Sequence, residues 1–219
     1  MSSKFSRLDF LRFSALGAST LFIPRALTAA EAPKKAKKGD VNDKINIGFI
    51  GLGQQAIHLV NGFLTIPEVR VIAGCDIYDI KRNRFIERVN KYYSEKGIKN
   101  KLDMYIKYEE LLAREDIDAV VIATPDHWHA AIAIAACKAG KDVYLEKPLT
   151  FTVYEGQRLI EAVRANNRIL QVGSMQRSMA EFIHAANVVR EGKLGKISTI
   201  YAYAGEGPLP YTLETTAAP

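Results

Sequence analysis

Cysteine is scarce in this sequence: Cys75 and Cys137 are the only two. Two thiols cannot build the crosslinked framework of a small disulfide-stapled scaffold. Cys75 ends an apolar run and Cys137 lies late on a helical stretch, so both are expected to be small buried residues without a disulfide. Long hydrophobic runs are missing too. The apolar stretch FSALGASTLFI near the N-terminus is shorter than the roughly 20 residues a membrane-spanning helix needs. No internal repeat is present, which excludes a solenoid or propeller. Charge of one sign is in modest excess, a net +6, and its placement removes most of its meaning. Residues 1–43 hold eight Lys/Arg against four Asp/Glu, so the remaining 176 residues carry only +2. The basicity is an N-terminal property and does not describe a nucleic-acid surface. What is left is a chain of 219 residues, 48% hydrophobic and 25% charged, enough for a sizeable core.

The first 32 residues read as an export signal. MSSKFSRLDFLR is a basic n-region, FSALGASTLFI a short apolar h-region, and ALTAAEA supplies small residues for cleavage after Ala30 or Ala32. SRLDFLR resembles a twin-arginine signal through Ser6, Arg7, Phe10, Leu11 and Arg12, but Leu8 stands where the second arginine belongs. Export, to a bacterial periplasm, is therefore expected, and the translocation route stays open. Residues 33–43, PKKAKKGDVND, form a polar, Lys-rich linker without periodicity.

From residue 44 to about 174 strands and helices alternate. INIGFI, VRVIAGC, a short strand at Met104–Tyr105, DAVVIAT, DVYLE and ILQVG are six apolar strands. Helices lie between them: Ile57, Val60 and Phe63/Leu64 recur at helical spacing, and Gly97 suits the end of a charged helix. Strands joined through helices must be parallel and covered on both faces. The fold class is α/β, a doubly wound parallel sheet of the Rossmann type. Beyond it, the helix AEFIHAANVVREG and the run ISTIYAYAGEG read as the start of an α+β domain over 175–219, with a first strand near 197–204.

Three stretches carry chemistry. In GFIGLGQQA, Gly51-x-Gly53-x-x-Ala56 follows a strand and opens a helix. Gly51 makes the tight turn, Gly53 lets a pyrophosphate approach the backbone, and Ala56 allows close packing of helix on strand. Gln54 and Gln55, at the start of that helix, join the cofactor-binding set. Asp76 ends the second strand, 23 residues after Gly53, where a carboxylate can bind a ribose hydroxyl. It also repels a 2′-phosphate, so NAD is favoured over NADP, although Arg82 and Arg84 nearby could soften the preference. TPDHWHA closes the fourth strand, where Thr124 and Pro125 would line the nicotinamide side of a crevice. His127 and His129 are a candidate metal pair, but no Cys or carboxylate spacing completes a site, so no metal is assigned. His129 is instead placed with the cofactor, and Asp126 is a candidate helix cap.

The third stretch, VYLEKPL, puts Glu146, Lys147 and Pro148 at the end of an apolar strand. A surface turn would explain them. Yet this is the edge that also carries the glycine turn and TPDHWHA. A lysine there can take part in proton transfer to or from a hydroxyl as hydride leaves its carbon, and can stabilise a developing oxyanion. Glu146 is close enough in sequence to influence its charge, and Pro148 fixes the turn.

Taken in order, GFIGLGQQA, Cys75-Asp76, TPDHWHA, AGKDVYLEKPLT and VGSMQRS resemble the nucleotide-binding half of the glucose–fructose oxidoreductase/inositol dehydrogenase (Gfo/Idh/MocA) family over residues 45–204. The resemblance implies a two-domain NAD(P)-dependent oxidoreductase acting on sugars or cyclitols, with Lys147 as the catalytic or substrate-orienting residue. It implies cofactor contacts from Gly51, Gly53, Asp76 and Gln176, with Glu146 beside them and Arg177 at the substrate. Met175 stands where the family usually has Gln. The leading expectation is hydride transfer from a secondary alcohol to NAD. An alternative, found among exported relatives, is redox-neutral glycoside cleavage through a keto intermediate. A third, should the protein end at Pro219, is a cofactor-binding protein without catalysis. The family's second domain supplies an open sheet, often dimerisation, and a catalytic Asp/His pair. Only its beginning is recognisable here, so the sequence reads as a truncated part of a longer, homo-oligomeric enzyme, itself inactive, with the strand near 197–204 an unprotected edge.

Overall fold

The structure, a computed structural model, describes residues 44–203. The expected export signal and linker lie outside the described residues. The described chain divides after Gly173 into two compact units.

The first unit is a six-stranded, wholly parallel sheet with the order β3-β2-β1-β4-β5-β6. Its strands are β1 (Ile45–Ile50), β2 (Val69–Cys75), β3 (Asp103–Tyr105), β4 (Ala119–Ile122), β5 (Asp142–Leu145) and β6 (Leu170–Val172). The central strands are buried on both faces, which is why their sequences run almost continuously apolar rather than alternating. Strand order reverses between β1 and β4. That reversal opens a crevice at the carboxyl edge of the sheet, and the turns after β1, β2, β4 and β5 all meet there.

Helices α1 (Gln54–Leu64) and α2 (Asp79–Glu95) cover one face. Their buried residues fall at i, i+4 and i+8: Ala56, Val60 and Leu64 on α1, and Phe85, Val89 and Tyr93 on α2. They pack with Ile47, Phe49, Val71 and Val121 from the sheet. Helices α3 (Tyr108–Leu112), α4 (His129–Lys138) and α5 (Val153–Ala165) cover the other face, against Ile50, Ile72, Val120, Ile122 and Leu145. Helix α4 is rich in alanine and buried on most sides, so its core packing is close. Helix α5 begins with a reciprocal cap: Thr152 Oγ1 accepts from the Glu155 N–H, and Glu155 Oε2 accepts from the Thr152 N–H.

Asp126 does not cap a helix. It opens a 3-10 turn (Asp126–Trp128), and neither that turn nor α4 has a side-chain cap. Cys75 and Cys137 are both buried and unpaired. Burial pushes the Cys75 thiol up to about 12, helped by the Asp76 carboxylate, and raises Cys137 as well. Among the described residues no helix is long and apolar enough to cross a membrane.

The second unit holds a 3-10 turn (Met175–Ser178) and helix α6 (Ala180–Arg190), none of whose residues is buried. Residues 197–203 form no strand, contrary to the expectation from ISTIYAYAGEG. Alternation alone does not make a strand. Its backbone groups need a neighbouring strand, and none is present for this segment among the described residues.

Candidate active site

The site begins with the turn from β1 into α1. Gly51 has φ +82°, and a Cβ on it would stand 2.7 Å from the Thr124 nitrogen. Its N–H donates to the Cys75 carbonyl at 2.8 Å, so the turn is pinned between β2 and the end of β4. Gly53 is different. It caps α1 in an extended conformation, and a Cβ there would meet nothing within 4 Å. Helix α1 has no side-chain cap and no acidic residue in its first turn. Its leading N–H groups and the positive end of its dipole are therefore left for an external anion. Gln54 is exposed and Gln55 half-buried at this helix start.

Asp76 is buried just beyond β2. One carboxylate oxygen accepts from the Leu52 N–H at 2.8 Å, inside the glycine turn, and the other from the Tyr78 N–H at 3.0 Å. Each oxygen keeps acceptor capacity for a ligand hydroxyl. Lys81 Nζ lies 4.0 Å from the same carboxylate and 4.5 Å from the Tyr78 ring centre. The two arginines expected near Asp76 bind main-chain carbonyls around it and not its carboxylate. Arg82 binds the Asp76 carbonyl and the Asp79 carboxylate, and Arg84 donates to the Leu52 carbonyl at 3.0 Å. The cation that faces the Asp76 carboxylate is Lys81.

A pocket of about 440 Å³ opens at this point. Gly51, Asp76, Tyr78, Thr124, Pro125 and Trp128 line it, together with apolar residues that follow β2 and β3. Thr124 Oγ1 beside it is buried without a hydrogen-bond partner. An apolar pocket, one buried carboxylate, and an adjoining helix start that a Cβ-free residue leaves open fit the adenosine and pyrophosphate of a dinucleotide. Pro125 and His127 are exposed. Among the described residues no group of three His, Cys, Asp or Glu is arranged to hold a metal.

His129, expected at the cofactor, is 1% exposed. Its two ring nitrogens face main-chain carbonyls, Nδ1 at 2.6 Å from Pro148 and Nε2 at 2.9 Å from Thr124. His129 opens α4, and its side chain turns into the protein between two loops.

Glu146 continues β5 through its N–H to the Ile122 carbonyl at 3.0 Å, and its side chain is 3% exposed. Oε1 accepts from Gln55 Nε2 at 2.9 Å and Oε2 from the Lys147 N–H at 3.2 Å. Its partners are thus a helix-start side chain and a backbone amide, and it forms no ion pair with the Lys147 ammonium. Gly173 makes room for it, since a Cβ there would stand 2.7 Å from Oε1. The Tyr144 hydroxyl is pushed up to about 12, chiefly by burial and then by the Glu146 charge. Lys147 itself is exposed, and its peptide bond to Pro148 is cis.

The carboxyl edge therefore gathers Gly51, Gly53, Gln55, Asp76, Thr124, Pro125, Glu146 and Lys147. Gln176 and Arg177 belong to the second unit, where both are exposed on its first turn. Sequence reasoning missed Lys81, Trp128 and Gly173. The glycine in VGS was visible, but its purpose depends on a carboxylate 27 positions earlier.

The fold and this edge define a dinucleotide-binding domain of the Rossmann type. The model of the Gfo/Idh/MocA oxidoreductase family, with its NAD-binding Rossmann fold, matches residues 45–174, and the chain belongs to that family. It is 32% identical over 155 residues to an alpha-N-acetylgalactosaminidase of Shewanella oneidensis, a match covering 70% of this chain and 33% of that protein. It is 30% identical over 206 residues to a glycosyl hydrolase family 109 protein of Shewanella sp. (strain ANA-3), covering 89% of this chain and 45% of the relative. Among solved structures, scyllo-inositol dehydrogenase from Lactobacillus casei with bound NAD(H) and scyllo-inositol superposes with a TM-score of 0.57 at 26% identity, covering 71% and 43% of the two chains. A 3-ketoreductase from Actinomadura kijaniata in complex with NADP and TDP-benzene gives 0.59 at 27% identity, covering 68% and 43%. The chain spans less than half the length of these relatives. NAD or NADP is the cofactor of such neighbours, and this domain is built to bind one.

Proposed function

We propose that the protein is an NAD-dependent oxidoreductase that takes hydride from a secondary alcohol of a sugar or cyclitol, with Lys147 assisting the proton transfer. The observation that carries this reading is the position of Lys147. It is an exposed lysine on the crevice edge, with its backbone N–H held by a buried carboxylate that is in turn tied to the start of α1.

A bound nicotinamide dinucleotide supplies the hydride acceptor. The residues of this chain do the remainder. The α1 start and Gly53 receive the pyrophosphate, and Asp76 holds a ribose hydroxyl and disfavours a 2′-phosphate. Lys147 assists loss of the hydroxyl proton while the alcohol carbon gives up hydride and becomes a carbonyl. In the reverse direction the same lysine assists protonation of the carbonyl oxygen. The signal-like composition of residues 1–32 motivates export to a bacterial periplasm, and the family resemblance motivates a homo-oligomer for the full-length protein.

A second reading is favoured by the relatives named as glycosyl hydrolase family 109 proteins and an alpha-N-acetylgalactosaminidase. Oxidation at one ring carbon acidifies the neighbouring C–H. Loss of that proton expels the glycosidic leaving group, water adds, and the hydride returns to the sugar. The cofactor then ends as it began.

The test uses protein purified from its host, with a panel of sugars, cyclitols and aryl glycosides. Accumulating NADH supports net oxidation, and leaving-group release without NADH supports the redox-neutral reaction. Lys147→Ala should lower turnover in either case and leave the NAD Kd within about twofold. Wild-type protein that binds NAD yet turns over nothing in the panel would favour a binding role without catalysis. Full activity in Lys147→Ala would refute the assignment of this lysine.

A further inference from the structure

We propose that His129 is a positioning residue for Lys147, a buried strut that fixes the Glu146-Lys147-Pro148 loop against the end of β4. The proposal rests on the reading of Lys147 given above. It comes from one juxtaposition: a single imidazole, 1% exposed, touches a carbonyl on each of the two loops that frame the crevice.

The loop after β5 needs such a tether. Sheet pairing ends with the Glu146 N–H on the Ile122 carbonyl and the Gly173 N–H on the Leu145 carbonyl. Beyond that point Lys147 and Pro148 are both exposed, and Pro148 has no N–H to donate. Two side chains take over. Glu146 Oε2 accepts from the Lys147 N–H, and His129 Nδ1 lies 2.6 Å from the Pro148 carbonyl. The lysine is thus held on both sides through its backbone, which leaves its side chain free to reach into the crevice. The other ring nitrogen, Nε2, faces the carbonyl of Thr124, the residue that also closes over the glycine turn. One side chain therefore sets the spacing between the wall of the cofactor pocket and the loop that carries the lysine.

The hydrogen-bond inventory of imidazole decides which contact matters most. A neutral ring carries one N–H, and both nitrogens here face acceptors. The shorter contact, to Pro148, is assigned the N–H on Nδ1. A second proton on Nε2 would satisfy Thr124 as well, and the Pro148 bond is kept in either state. The imidazole has no exposed edge for a ligand, so its contribution runs through Lys147 and not through contact with cofactor or substrate.

Two variants and one spectrum test the assignment. An asparagine amide nitrogen falls near the Nδ1 position, so His129→Asn should keep the Pro148 bond. His129→Leu fills the space without any donor. A lysine displaced by about 1 Å costs roughly 100-fold in rate. His129→Leu should therefore lower kcat by about 10- to 100-fold, with the NAD Kd from calorimetry within about twofold of wild type, and His129→Asn should recover most of the loss. A purely structural role would instead lower the urea midpoint in both variants and weaken NAD binding along with turnover. If both variants fail to fold, the wild-type protein still decides. A long-range proton–nitrogen spectrum of the histidine rings should show His129 protonated on Nδ1, alone or on both nitrogens. A ring protonated only on Nε2 would overturn the strut. Normal kcat in a folded His129→Leu would overturn it too, provided Lys147→Ala is inactive. If Lys147→Ala retains activity while Nδ1 carries its proton, the reading of Lys147 fails and the strut remains as architecture.

Discussion

The two glycines of the turn after β1 should respond oppositely to the same substitution. At Gly51 alanine meets two penalties. A backbone at φ +82° lies in the left-handed region, which costs a non-glycine residue about 1–2 kcal/mol. The new Cβ would stand 2.7–2.8 Å from the main chain of Ala123 and Thr124, which cannot swing aside as a side-chain tip can. Overpacking of that kind costs about 1–3 kcal/mol. Gly51→Ala should therefore lose about 2–5 kcal/mol, a large share of the roughly 5–15 kcal/mol of a typical domain. At a urea m-value of about 1–3 kcal/mol/M, the midpoint falls by about 0.7 M or more. Gly53→Ala has an ordinary φ of −67° and no neighbour within 4 Å, so its stability should change by less than about 1 kcal/mol, in either direction. Its Cβ projects into the space left for the pyrophosphate, so NAD affinity should fall at least about tenfold. The assay is urea unfolding followed by circular dichroism, paired with NAD calorimetry. Equal destabilisation in the two variants would refute the division of labour, and so would unchanged NAD affinity in Gly53→Ala.

Other predictions are smaller. Thr152→Ala removes the reciprocal cap of α5 and should cost about 1 kcal/mol in the same urea assay; an unchanged midpoint would count against the cap. Cys75 and Cys137 should resist iodoacetamide in the folded protein at pH 8 and both react once it is unfolded, read by mass, because burial keeps the thiols protonated. Stability should also decline in alkali. Burial raises Cys75 from 9.0 to about 12 and Tyr144 from 10.0 to about 12, so the protonated forms are favoured by folding. Their contribution is complete below about pH 9 and is lost as pH rises toward 12. Lys141, whose burial lowers its pKa, works in the opposite sense. A urea midpoint that rises between pH 9 and 11 would show that Lys141 outweighs the other two. Lys147→Ala and the His129 variants complete the set.

Much of the architecture was legible in the chain before any coordinates. Six apolar runs separated by helical periodicity require parallel strands with both faces covered, because neither a continuous apolar strand nor an amphipathic helix is stable while its apolar surface faces water. The glycine turn and Asp76 were legible for a local reason. A left-handed backbone needs glycine, and a carboxylate at the end of β2 lies within reach of the turn in any such fold. Tertiary structure decided what depends on contacts distant in sequence. Gln55 meets Glu146 across 91 positions, and Gly173 exists to clear space for that same carboxylate. Arg82 and Arg84 bind backbone carbonyls and leave Lys81 as the cation at Asp76. His129 spans two carbonyls, a role its motif does not announce, because sequence spacing fixes where α4 begins but not which loops close over its first residue. The run at 197–203 shows the same limit from the other side. Its pattern permits a strand, but backbone hydrogen bonds require a partner, and that partner is a matter of tertiary structure alone.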